Sequence, residues 1–132
     1  LTRVLALDYG SARTGVAVSD PTGVLATPLD VVTKANTRKG IERLATIVRE
    51  TGAARVVVGL PLSLSGRDSA QTQEARAFAD RLAARLGEAV PVELYDERFT
   101  TRIAQRSGGD DTAEDSRAAA VLLEDWLAAH PS

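Results

Sequence analysis

At 132 residues, with 44% apolar and 26% charged side chains, the chain has ordinary globular composition, enough for one well-buried core and too little for two lobes closing over a ligand. It contains no cysteine, which excludes disulfides, thiolate nucleophiles and cysteine-held zinc or iron–sulfur centres, so any metal is expected to take oxygen ligands. A net charge of −2 gives no basic footprint for nucleic acid, yet arginine, the better residue for bidentate phosphate contacts, far outnumbers lysine, so a local patch fits inside a neutral whole.

Residues 2–8, TRVLALD, are apolar on both alternating faces, as in a central strand covered on two sides, and Tyr9-Gly10 supplies a turn. Gly15 to Ser19 reads as a second strand and Val24 to Thr33 as a third, joined through Asp20-Pro21-Thr22-Gly23. Links this short predict three antiparallel strands. From Thr37 to Glu50 the apolar period becomes helical, with Ile41, Leu44, Ile47 and Val48 on one face and Gly52 as the stop. Arg55 to Leu60 is a buried strand closed by Pro61. A polar loop then leads to a helix from about Ser69 to Leu86, where Ala75, Phe78, Leu82 and Leu86 share a face before Gly87 and Pro91.

Val92 to Tyr95 is the fifth strand, and two helices follow, a short one after Thr100 and a longer one from about Ala113 to Ala129. The order βββαβαβαα predicts an α/β fold: a mixed five-stranded sheet with helices on both faces, the last two strands joining parallel through right-handed crossovers. One domain over residues 1–132 is expected, with no internal repeat or linker. With no basic-apolar leader and no window of membrane-span length, the expectation is a cytoplasmic protein without a membrane partner.

Three carboxylates are candidates for chemistry. Asp8 ends the central strand on the side of Val4 and Ala6, where a lone ionised group would be costly to desolvate and a metal ion is one suitable partner; bonding of nearby backbone N–H groups in an Asp-Tyr-Gly turn is the alternative. Glu97 follows the fifth strand, and a sheet that places that strand near the first would carry it toward Asp8 to make a hard-cation site. Helix-dipole preference ahead of Thr100 also accounts for it. Asp115 lies in the first turn of the last helix, where Thr112-x-x-Asp115 fits a capping box. The apolar run from Ala118 to Leu123 nevertheless predicts that this helix lies against the sheet. Acids on first strand, last strand and last helix, with no competing nucleophile, suit a two-metal site that activates water.

Other chemistries fit less well. Gly59 and Gly66 lack P-loop spacing, and His130, the only histidine, lies at a fraying end.

Four segments, Asp8-Tyr9-Gly10-Ser11-Ala12-Arg13-Thr14-Gly15-Val16-Ala17-Val18-Ser19-Asp20, Val58-Gly59-Leu60-Pro61-Leu62 with Gly66, Asp96-Glu97-Arg98-Phe99-Thr100-Thr101, and Asp115-Ser116-Arg117-Ala118-Ala119, occur in an order that resembles the YqgF/RuvX family of the RNase H-like superfamily. That family is described as Holliday junction resolvases and pre-16S rRNA nucleases. The resemblance runs over nearly the whole chain. It implies that Asp8, Glu97 and Asp115 are catalytic and ligate Mg2+ or Mn2+, and that the substrate is structured RNA or branched DNA. Arg13 and Arg98, beside the first two acids, become first candidates for phosphate contacts, with surface ion pairing as the alternative for each.

Between Glu97 and Asp115 the chain is short and acidic where a longer, often basic loop is expected of the family, which leaves Glu114 or Asp111 as substitutes for Asp115. A homodimer with two sites related by a dyad would suit a junction resolvase, and a monomer an rRNA-processing enzyme. A non-catalytic RNase H-like binding module is the rival reading, and the presence of all three acids speaks against it. Nucleotide binding of the actin-like kind shares an Asp-x-Gly hairpin but needs a second lobe.

Overall fold

A computed structural model describes residues 3–60, 70–96 and 112–130. Among the described residues five strands form one sheet: β1 (Arg3–Asp8), β2 (Arg13–Ser19), β3 (Ala26–Thr33), β4 (Ala53–Leu60) and β5 (Val92–Asp96), in the spatial order β3-β2-β1-β4-β5. The short links behave as expected, since β1 with β2 and β2 with β3 are antiparallel. The strands that follow helices, β4 and β5, join parallel, β4 on β1 and β5 on β4.

The described helices are α1 (Arg38–Thr51), α2 (Ala70–Leu86) and α3 (Thr112–Ala129). Thr37 caps α1 by accepting the Gly40 N–H at 3.1 Å, and Gly52 ends it in the left-handed region, φ 71°, donating its own N–H to the Val48 carbonyl. Their apolar stripes decide which face of the sheet they cover. Ile41, Leu44, Ile47 and Val48 of α1 and Ala75, Phe78 and Leu82 of α2 pack with Leu5, Leu7, Val16, Val56 and Val58. On the opposite face α3 buries Ala119, Leu122, Leu123 and Trp126 against Val4, Ala6, Ala17 and Val57. Each fully buried leucine stabilises this docking by roughly 1.5–3 kcal/mol. Alternation along β1 thus supplies both cores, which is why its sequence is apolar on two faces.

Several boundaries differ from the sequence-based expectation. β2 begins at Arg13 because its ladder to β3 continues through Arg13 with Thr33 and Thr14 with Val32. Val24 and Leu25 belong to the preceding turn, where the Asp20 carboxylate accepts both of their N–H groups at 2.8 Å. β4 starts at Ala53, directly after the α1 cap, and the short helix expected after Thr100 lies outside the described residues. Among the described residues, no helix is long and apolar enough to cross a membrane.

Candidate active site

Asp8 is the last residue of β1 and is 6% exposed. It shares its face with Val4 and Ala6, the face that α3 covers. Its partner in the antiparallel ladder is Gly15 of β2. Directly opposed residues project to the same side of a sheet, so the missing side chain of Gly15 leaves a space beside the Asp8 carboxylate.

The start of α3 fills that space. A Cβ on Gly15 would stand 2.0 Å from the carbonyl oxygen of Asp115, closer than any real contact, and a tight 3.1 Å from the Ser116 nitrogen. Glycine inside a strand often marks such a close approach of backbone. Here it seats the first turn of the last helix on the strand pair that carries Asp8, and so brings the two aspartates to one corner of the sheet.

The Asp115 carboxylate, 17% exposed, meets the Nε of Arg13 at 2.7 Å, and that arginine is itself 23% exposed. Arg13 lies two residues before Gly15 on β2, hence on the same face. The ion pairing raised as an alternative for Arg13 is therefore realised, but with one of the candidate acids. Asp115 is a helical residue close to the amino end of α3, where the helix dipole also favours a negative charge.

The fifth strand does not pair with the first. β4 lies between them, with Leu7 opposite Val58 and Gly59 opposite Tyr95, so β1 and β5 end at the same edge of the sheet one strand apart. Glu97 is next in sequence to Asp96, the last residue of β5. Glu97, Arg98 and Asp111 lie outside the described residues, and Glu114 belongs to α3. Among the described residues no three carboxylate, histidine or cysteine side chains gather into a metal-binding group. The pair that is described, Asp8 and Asp115, offers hard oxygen donors and no nitrogen or sulfur, a donor set that fits Mg2+ or Mn2+.

In the sequence Tyr9 and Gly10 read only as a turn. Tyr9 is 5% exposed, stacks on Phe78 with ring centroids 4.5 Å apart and donates its hydroxyl to Glu74 Oε2 at 2.5 Å. Burial, reinforced by that carboxylate, pushes the phenol above its ordinary value. The residue after Asp8 is thereby tied to α2 while Asp8 faces α3. Gly10 is needed because a Cβ there would lie 2.5 Å from the Arg13 carbonyl oxygen across the tight turn.

With this geometry in view, a sequence model of the RuvX family, described as Holliday junction resolvase, matches residues 2–129. The chain belongs to the RuvX family. This RuvX protein is 45% identical to a protein of Mycobacterium ulcerans provisionally named a pre-16S rRNA nuclease, over 95% of this chain and 78% of that one. A protein of the same provisional name from Mycobacterium leprae is 44% identical over 95% of this chain and 72% of its own. Among solved structures, RuvC of Thermus thermophilus in complex with a Holliday junction substrate superposes with a TM-score of 0.61 at 17% identity, covering 99% of this chain and 97% of that one. Fowlpox virus resolvase in complex with Holliday junction DNA follows with a TM-score of 0.51 at 11% identity, over 95% and 99% of the two chains. At those identities the likeness is one of fold. The mixed sheet of this RuvX member is the RNase H-like fold.

Proposed function

We propose that the protein is a divalent-metal-dependent nuclease that hydrolyses phosphodiester bonds of structured or branched nucleic acid, in pre-16S rRNA processing or in the resolution of Holliday junctions. The observation that carries this reading is the convergence of Asp8 and Asp115 across Gly15, at the edge of the sheet where the strand before Glu97 also ends. RuvX membership and the names of the mycobacterial relatives support it. So does the fold shared with resolvases in complex with junction DNA.

Asp8, Glu97 and Asp115 would hold Mg2+ or Mn2+. Bound there, a pair of such ions would supply activation of a water for in-line attack and stabilisation of the leaving oxygen, so that the products would be a 5′-phosphate and a 3′-hydroxyl. The protein's own part is to fix the donors: Asp8 is held by a strand buried on both faces, and Asp115 by a helix seated on Gly15. Arg13 and Arg98 would contact substrate phosphates. The whole chain would work as a single domain in the cytoplasm, with a homodimer placing two sites about a dyad if a four-way junction is the substrate.

The test compares wild type with Asp8→Asn on a four-way DNA junction and a structured pre-rRNA fragment, in EDTA, Mg2+ or Mn2+. Metal-dependent cutting lost in the variant establishes the nuclease, and the preferred substrate separates the two roles. Binding of both substrates without cutting would replace this reading with a non-catalytic module.

A further inference from the structure

The ion pair between Arg13 and Asp115 is itself a statement about how the site is loaded. Both side chains are more than three-quarters covered, and the guanidinium Nε sits 2.7 Å from a carboxylate oxygen. That oxygen belongs to a residue that the proposed function assigns to metal binding. A cation of the protein therefore already neutralises Asp115. A divalent ion approaching the same carboxylate meets a resident positive charge, and in a partly dehydrated setting the repulsion and the lost pairing both weaken its binding.

We propose that Arg13 is a built-in counter-ion of the site: it holds Asp115 until a divalent cation displaces it, and the displaced guanidinium is then available to a phosphodiester. Metal loading and nucleic-acid binding become coupled through one side chain, each strengthening the other by the same factor. The tether is short, because Arg13 and Gly15 share a strand and Gly15 contacts Asp115 directly. A swing of the Arg13 side chain alone exchanges its partner while the backbone stays in place. This inference rests on the nuclease reading, since it takes Asp115 to be a metal ligand.

The experiment measures Mn2+ binding to the full chain by electron paramagnetic resonance or calorimetry, for wild type, Arg13→Gln, Arg13→Lys and Asp115→Asn, with circular dichroism to establish that each is folded. Arg13→Gln is expected to bind Mn2+ about fivefold more tightly than wild type, the scale of a partly exposed ion pair. Arg13→Lys, which keeps the charge, should stay close to wild type. A second readout is affinity for a four-way DNA junction carrying hydrolysis-resistant phosphorothioate linkages at its branch point. Arg13→Gln should weaken junction binding severalfold in Mn2+ and little in EDTA, where the arginine is occupied by Asp115.

Mn2+ binding that depends on Asp115 but is unchanged or weaker in Arg13→Gln overturns the counter-ion and leaves the nuclease reading standing. Equal loss of junction affinity in Mn2+ and EDTA does the same. Absence of any Mn2+ binding that Asp115→Asn removes overturns both.

Discussion

Gly15 and Asp115 are in backbone contact so close that a single methyl group on the glycine would lie 2.0 Å from the aspartate's carbonyl oxygen. The contact joins the second strand to the last helix, and the opposed position on the first strand is Asp8. Spacing between the two aspartates is therefore set by an absent side chain.

Gly15→Ala should force α3 off the sheet. Overpacking of this kind costs about 1–3 kcal/mol, read as a lower midpoint in urea unfolding. Trp126, the sole tryptophan, is 7% exposed in α3 and hydrogen-bonded to Glu93 at 2.9 Å, so its fluorescence reports the docking directly. Cleavage should fall much further than the folded fraction does, because the displacement acts where the two aspartates meet. A variant with wild-type activity and unchanged fluorescence would contradict the role given to Gly15.

Asp8→Asn should abolish cleavage without loss of stability. The carboxylate is 6% exposed, and replacing it by an isosteric amide removes a buried charge. A urea midpoint equal to or above that of wild type is expected. A large drop would instead assign Asp8 a structural duty in the turn that follows it.

Tyr9 makes stability depend on alkaline pH. Its phenol is raised above the ordinary value near 10 in the folded protein. The stability it contributes is fully present below about pH 10 and is lost as pH rises through and beyond that value, since the unfolded chain then releases a proton that the folded one retains. Tyr9→Phe should cost about 1 kcal/mol at neutral pH, the net value of one hydrogen bond. It should also flatten the decline of melting temperature above pH 10. An equally steep decline in the variant would exclude Tyr9 as its source.

Asp20 acts at the other end of the scale. Hydrogen bonds from the Thr22 hydroxyl and from the Leu25 and Val24 N–H groups lower its pKa to about 2. Its contribution to the turn is present above the unfolded value near 4 and is lost as pH falls through about 2. Hydrogen exchange at the Val24 and Leu25 amides, taken relative to the intrinsic rate at each pH, should accelerate as pH falls across that window in wild type. In Asp20→Ala it should be fast throughout; protection retained in that variant would show the turn to be held by other means.

Much of the fold was legible because its signals are local. The both-sided apolar run of β1, the helical stripe of Ile41, Leu44, Ile47 and Val48, and the stop at Gly52 each report on a few neighbouring residues, and all three are realised. The four motifs that carry the RuvX resemblance also placed Asp8 and Asp115 in one family pattern. Three relations escaped because they are tertiary. Gly15 looks like any strand glycine until a helix from the far end of the chain rests on it. Tyr9 reads as a turn residue until Glu74 accepts its hydroxyl, and no pattern in sequence announces that Arg13 will pair with Asp115. The strand order too was only partly readable, since β4 stands between β1 and β5 where a direct neighbour relation would have been the simpler arrangement.

The two aspartates sit on the first strand and the last helix described, with the other four strands and two helices between them in the chain. During synthesis the amino-terminal strands emerge and begin to fold long before that helix leaves the ribosome. Until it docks on Gly15, Asp8 has no Asp115 beside it. A nascent chain in which α3 has not yet emerged, though already able to form its sheet, would therefore lack this pairing. The order of the elements delays the completion of this corner until the residues of α3 have been made.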